Sequence, residues 1–265
     1  MYMYDFYGLN ISVFSEKELD QQIEADLSGN QVKTYFGYSM GYLPLFKKNP
    51  ELYTCANGYD LMVTDGRLFY LFAKLFGAPL DFDISIPFLS RKLMKIANTR
   101  GASMMVVGSL PDINRKATEH LRENYPHAIV YDGEDGGKFT REDQLKTIEH
   151  INSHCPDILF LGVSSPKKEL FATEWKDKLK VKIIVPFGGM IDGLGGKVWL
   201  TPPLLKKMGL ATFVRVVQEP RRLLWPNILT VFYVFVLLIP TAIIQILLLK
   251  NKNYFIPALS GIKKH

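Results

Sequence analysis

Ser103-Met104-Met105-Val106-Val107-Gly108-Ser109-Leu110-Pro111-Asp112 decides the fold. An uncharged apolar run reads as a strand buried on both faces, a glycine turn ends it, and a helix follows. The plan recurs in Phe160-Leu161-Gly162-Val163-Ser164-Ser165-Pro166, and Val185-Pro186-Phe187-Gly188-Gly189 ends a third such run. Short apolar runs alternating with amphipathic stretches predict an α/β fold, a mostly parallel sheet with helices on both faces.

Working outward, strands are expected at Gln31–Phe36, Asp60–Val63, Ser103–Val107, Ala128–Tyr131, Ile158–Val163 and Lys182–Phe187. Helices are expected from Gly41 past Leu45 toward Cys55, and at Arg67–Phe76, Phe88–Arg100, Asn114–Tyr125, Arg141–His154, Lys167–Leu179 and about Pro203–Lys207. Thr140 stands three residues before Asp143, as in a capping box, and Ser165-Pro166 would put a hydroxyl at the N-cap and proline at N1.

The chain has 265 residues, a formal charge of +6 and a pI near 9.1. Between Gly195 and Trp225 six basic residues (Lys197, Lys206, Lys207, Arg215, Arg221 and Arg222) face one acidic residue, Glu219. A basic collar before an apolar run fits anionic lipid headgroups, and the aromatic-basic interleaving of nucleic-acid binders is absent. From Ile228 to Leu249 there is no charge, enough to cross about 30 Å of hydrocarbon as a helix. Pro240 can kink it, so a span and a re-entrant hairpin both remain open. The N-terminus lacks a basic n-region, which places the α/β part in the cytoplasm. Cys55 and Cys155 match no metal or redox spacing and read as packing residues. His150 and His154 lack the glutamate of a zinc helix and read as a solvated helix end. The expected organisation is an α/β domain at 1–194, a basic membrane-proximal arm at 195–225, a membrane anchor at 226–250 and a basic tail at 251–265.

Three constellations follow strands. Asp65 in Thr64-Asp65-Gly66 is suited to a general base, although a helix-capping aspartate is the commoner local reading. Pro166-Lys167-Lys168-Glu169 opens a helix that could face phosphate or only solvent. Gly188-Gly189-Met190-Ile191-Asp192-Gly193-Leu194-Gly195-Gly196 is dense enough in glycine to suggest a loop lying close against a ligand, with a flexible connection as the alternative. In parallel sheets ligands sit beyond the carboxyl ends of strands. No GxGxxG or Walker sequence is present.

Taken in order, Asp60-Leu-Met-Val-Thr-Asp65-Gly66, Met105-Val-Val-Gly108, Pro156-Asp157-Ile-Leu-Phe-Leu-Gly162-Val-Ser-Ser-Pro166-Lys-Lys-Glu169, Gly188-Gly189-Met-Ile-Asp192 and Gly209-Leu210 leading to Glu219-Pro220-Arg221 resemble the bacterial WecG/TagA/CpsF glycosyltransferases. The resemblance covers about Gln31 to Arg222. It implies a Rossmann-like domain with a C-terminal membrane-associated helical segment. The implied chemistry is inverting transfer from a UDP-sugar, typically UDP-N-acetylmannosamine, to a polyprenyl-diphosphate-linked saccharide in capsule, exopolysaccharide or teichoic acid synthesis, without an obligatory metal or other cofactor.

Under that resemblance Asp65 is the base. Gly37, Ser39, Gly66, Gly108, Ser109, Gly162, Pro166, Lys168, Glu169, Gly188, Gly189 and Asp192 would meet the nucleotide-sugar. Lys206, Lys207, Arg215, Arg221 and Arg222 would meet the membrane and the acceptor diphosphate. The implied location is the cytoplasmic face of the bacterial inner membrane; self-association is compatible with it, and no nucleic-acid partner is implied.

Departures cluster near the expected sugar pocket. Gly37-Tyr38-Ser39 stands for Thr-Pro-Asn, Lys168 for glutamine, and Leu200-Thr201-Pro202 for Arg-Ala-Pro. Asp83-Ile-Ser-Ile-Pro-Phe88 replaces an arginine and a Gly-Ser-Asp run. These changes also suit a non-catalytic member that binds a nucleotide-sugar or scaffolds an assembly complex.

Overall fold

Period-two alternation sets the architecture in the computed structural model, which describes residues 1–259 apart from Gly136, Leu200, Pro203, Lys206, Lys207, Lys252 and Asn253. Six strands form one wholly parallel sheet: β3 (Lys33–Tyr38), β4 (Leu61–Thr64), β5 (Ser103–Val107), β6 (Ile129–Val130), β7 (Ile158–Leu161) and β8 (Ile183–Pro186). Their order is β4-β3-β8-β7-β5-β6. Met104 and Val106 of β5, with Ile158 and Phe160 of β7, face one apolar layer; Met105, Val107, Leu159 and Leu161 face the other. The first layer is closed by α1 (Glu16–Ser28), α5 (Ile86–Arg100), α6 (Pro111–Asn124) and α9 (Gly189–Leu194). The second is closed by α2 (Tyr42–Lys48), α3 (Pro50–Asn57), α4 (Arg67–Leu75), α7 (Arg141–His154) and α8 (Lys167–Trp175). The α/β expectation with helices on both faces is met.

Carboxylates at the amino ends of the strands set the register. Asp60 accepts from the Thr34 backbone N–H at 2.9 Å and hydroxyl at 2.8 Å, and Asp157 does the same for Ser103 at 2.8 and 2.8 Å. Strand β3 therefore begins at Lys33 and runs two residues beyond the expected end. Gly37 and Tyr38, beyond the expected strand end at Phe36, pair with Val63 and Thr64.

The amino terminus adds a hairpin that the apolar-run reading passed over. Strands β1 (Tyr2–Phe6) and β2 (Leu9–Val13) pair antiparallel about Tyr7 and Gly8, both at positive φ, the geometry of a two-residue hairpin turn. Ser12 Oγ accepts the Met62 N–H at 2.8 Å, so the hairpin covers the β4 edge.

Caps diverge from expectation in one of two places. Thr140 and Asp143 form the capping box. Pro166 rather than Ser165 holds the N-cap of α8, and the Ser165 hydroxyl donates to Glu169 at 2.7 Å. The cysteines differ as well: Cys55 is half-buried, whereas Cys155 is exposed at the left-handed end of α7, its Sγ donating to Asn152 O at 3.1 Å.

Beyond α9, a helix covers Ala211–Gln218, and one long helix runs Pro220–Leu248. It passes through Pro240 without reversing, with π-type turns at Tyr233–Leu238 and Ile243–Leu248 on either side. The wider turns accommodate the missing proline N–H, so no hairpin forms inside the apolar run. The helix expected at about Pro203–Lys207 lies mostly outside the described residues.

Candidate active site

The carboxyl ends of β3, β4, β5, β7 and β8 bring most of the candidate residues to one edge of the sheet. Asp65 follows β4, its N–H donating to Tyr38 O at 2.6 Å. Its carboxylate does not cap α4; Gly66 holds that position without a side-chain bond, so the capping reading is corrected. Instead Oδ1 accepts the Ile86 N–H at the start of α5, at 2.9 Å. Gly66 adopts φ +90 with open space around it, so its conformation is what requires glycine. At Gly37 space is the requirement: a Cβ would lie 2.9 Å from Ile86 and 3.0 Å from Asp65 Cβ.

Solvent reaches part of the Asp65 side chain, yet protein surrounds the carboxylate. Burial pushes its pKa up to about 6, the Ile86 N–H opposes that, Asp83 adds to it and Lys168 opposes it again. Asp83 is itself raised by burial, against an opposing pair with Arg67 at 3.5 Å.

Lys168 was expected to present its ammonium to a diphosphate. It is instead buried, 2.7 Å from Glu169 Oε1 and 3.3 Å from Tyr42 OH, and donates to Ser165 Oγ. Tyr42 OH donates to Glu169 at 2.8 Å, and burial holds this phenol well above its usual range. Glu169 is fully buried, with Oε2 unpartnered among the described residues. Lys168 and Glu169 thus form a buried pair rather than a solvent-facing one, with Lys168 near enough to act on the Asp65 charge. Pro166 occupies the N-cap of α8 above them.

The neighbouring loops approach one another too closely for side chains. A Cβ on Gly108 (φ +122) would lie 2.6 Å from the backbone of Gly162, and one on Gly162 would lie 2.9 Å from Ile191. Asn114 donates to the carbonyls of Val106, Gly108 and Glu134 at 3.0, 3.0 and 2.9 Å, locking the β5 loop. The expected open glycine loop is largely helix α9, preceded by Gly188 at φ +47. From it Asp192 accepts the Ser109 hydroxyl at 2.7 Å and lies 3.4 Å from Lys197 and 3.9 Å from Arg215. Asp192 therefore positions its neighbours, its carboxylate already engaged.

Arg215 pairs with Glu219 at 2.7 Å, and a Cβ on Gly189 would sit 3.1 Å from its Nη2. Its Nη1 is buried and unpartnered among the described residues. Arg222 also pairs with Glu219, while Arg221 is exposed at the start of the long helix. Glu219 is held below its usual range, first by Arg222. An open groove runs here along Gly193, Gly196, Lys197, Trp199, Gln218 and Glu219. Gly41 stands near both Ser39 and Thr230, a Cβ there lying 3.6 Å from the Ser39 hydroxyl and 3.9 Å from that of Thr230, so the long helix passes close to the β3 end of the site. Lys206 and Lys207 lie outside the described residues. No group of three or more His, Cys, Asp or Glu side chains suited to a metal ion occurs among the described residues.

Sequence reading alone passed over Tyr42, Arg67 and Asn114, and met Asp83 only as part of an altered segment. Asn114 carried one local signal, a polar residue on the apolar face of α6; the others are joined to the site only by the fold.

The sequence profile described as the Glycosyl transferase WecG/TagA/CpsF family matches residues 4–247. This chain belongs to that family. The match takes in the α/β domain, the basic arm and nearly all of the long helix. A relative in Bacillus spizizenii (strain ATCC 23059 / NRRL B-14472 / W23), N-acetylglucosaminyldiphosphoundecaprenol N-acetyl-beta-D-mannosaminyltransferase, is 22% identical over 184 residues, 69% of this chain and 70% of its own. Within the WecG/TagA/CpsF frame this chain is therefore a divergent glycosyltransferase.

Proposed function

We propose that this protein is an inverting glycosyltransferase that moves a sugar from a UDP-sugar to a polyprenyl-diphosphate-linked saccharide at the cytoplasmic face of the bacterial inner membrane. The observation that carries the reading is Asp65, a carboxylate with raised pKa held by Ile86 at the carboxyl edge of the sheet. A base there takes the acceptor hydroxyl proton as the oxygen attacks the anomeric carbon. The bond to UDP breaks on the opposite face, so the configuration inverts. The charge developing on the departing diphosphate would be met by Arg215, whose unpartnered Nη1 has donor capacity to spare, with Lys197 beside it. That charge would be neutralised by fixed cations rather than by a bound metal.

The donor class and the acceptor are supported by the family and by the activity named for the Bacillus relative. N-acetylmannosamine is the first sugar to test, with related hexoses next, because Lys168 and Asp83-Ile-Ser-Ile-Pro-Phe88 alter the surroundings of Asp65. Purified protein would be assayed for UDP release from a panel of UDP-sugars, with and without polyprenyl-diphosphate-linked N-acetylglucosamine. Acceptor-dependent release, lost in Asp65→Asn, is expected. Nucleotide-sugar binding without turnover would instead identify a non-catalytic, scaffolding member.

A further inference from the structure

We propose that the Pro220–Leu248 helix lies in the plane of the membrane, sunk into one leaflet, and that the C-terminal tail stays on the same side as the α/β domain. Its 29 residues, uncharged after Arg222, are long enough to cross, about 43 Å at helical rise. What argues against crossing is that the chain is tied to the α/β domain before the helix and again after it. Before it, Arg215 reaches Asp192 and Glu219. After it, the Ile256 N–H donates to Tyr7 O at 3.2 Å, and the Phe255 ring fills the space over Gly8. Ile256, Ala258 and Leu259 are buried in the same apolar layer as β1, β2 and α2.

The middle of the helix is fastened as well. Val234, Leu238 and Ala242, at i, i+4 and i+8, are fully buried in that layer. The Ala258 N–H donates to Tyr233 OH at 2.8 Å, and Thr241 Oγ1 lies 3.3 Å from Tyr254 OH. A crossing helix would carry the tail away from Tyr7 and Gly8, or draw the hairpin and α2 into hydrocarbon with it. Lying flat requires neither.

The outward face fits lipid. Trp225, Phe232, Phe235 and Leu248 are each more than half exposed. Arg221 and Arg222 open the helix and Lys250 follows it, so positive charge stands at both ends of an apolar stripe. That pattern matches an anionic leaflet, with the aliphatic face in the acyl region and cations and Trp225 at headgroup level. Two copies of the face would meet basic end to basic end, which disfavours self-association as the cover. Because Gly41, next to Ser39 after β3, also lies beside Thr230, a flat helix brings that end of the sheet toward the leaflet surface, where a lipid-linked sugar resides.

The inference rests on the membrane attachment proposed above but not on the transfer reaction. Full-length protein would be fused after His265 to a fluorescent protein that matures only in the cytoplasm, or to a phosphatase active only outside. A fluorescent fusion and an inactive phosphatase, both in the membrane pellet, are expected. Phosphatase activity would show a crossing and overturn the proposal while leaving the transferase reading intact. A wholly soluble fusion would overturn the attachment itself. A second variant tests the face: F232E/F235E, both exposed, is expected to lose pelleting while keeping the wild-type melting temperature. Retention in the membrane, or release of the wild type as a soluble dimer, would overturn the lipid assignment.

Discussion

Asp65 Oδ1 accepts the backbone N–H of Ile86 at 2.9 Å, tying the end of β4 to the first residue of α5. The bond aims the carboxylate and leaves Oδ2 free of that constraint. It arises in the segment where an arginine and a Gly-Ser-Asp run are expected for the family, so the altered segment still holds the Asp65 carboxylate.

Asp65→Asn keeps an oxygen for Ile86 but removes the proton acceptor. Turnover should fall by about 10²- to 10⁴-fold. UDP-sugar binding, followed by calorimetry, should change little. Retained turnover would remove Asp65 from the mechanism.

The raised Asp65 pKa of about 6 predicts a rate that climbs about tenfold per pH unit below that value and levels above it, where the base is ionised. Stability runs the other way. A carboxyl whose folded pKa exceeds its unfolded value near 3.9 contributes stability fully at lower pH, and loses it as pH rises through about 6. Chemical denaturation of Asp65→Asn between pH 4 and 7 should lack that decline, a difference on the order of 2 kcal/mol.

Lys168→Met strands the buried Glu169 carboxylate and should cost about 3–5 kcal/mol by denaturant titration. Adding Glu169→Gln should recover part of the loss. Lys168 opposes the rise of the Asp65 pKa, so its removal should move the acid limb of the rate profile to higher pH. A destabilised enzyme with an unmoved profile would limit Lys168 to packing. The milder Lys168→Gln should shift the profile in the same direction.

Gly37→Ala places a methyl 2.9 Å from Ile86 and 3.0 Å from Asp65 Cβ. Overpacking of this kind should cost about 1–3 kcal/mol. Because the atoms displaced belong to the Asp65–Ile86 pair, turnover should drop more than the melting temperature alone suggests.

Arg215→Ala should lower kcat/KM for the UDP-sugar by about 10²-fold, with Arg215→Lys intermediate. Asp192 and Glu219 would be left with Lys197 and Arg222, so folding should survive. Unchanged kinetics in both variants would remove Arg215 from diphosphate contact.

The sheet was legible because β5, β7 and β8 are short apolar runs with side chains alternating between two buried layers. Asp65, Gly108, Gly162 and Gly188 were legible as positions at the carboxyl edge of the sheet because each follows such a run. The β1–β2 hairpin was less so, its signal resting on Tyr7-Gly8 between strands whose outer residues are exposed. The inward turn of Lys168 was not legible, because a lysine in the first turn of a helix looks solvated until Tyr42, Ser165 and Glu169 arrive from elsewhere.

By itself the sequence determined the parallel α/β architecture, the edge of the sheet that carries the site, and the presence of an apolar segment after a basic collar. Those are properties of periodicity, glycine placement and charge along one stretch of chain. Only the tertiary structure decided that Asp65 is held by Ile86, that Lys168 is buried against Glu169, and that the long helix is fastened to Tyr7 and Gly8 through the tail. Each depends on contacts between residues far apart in the chain, and the energies of burial and hydrogen bonding that select them exist only once those residues meet.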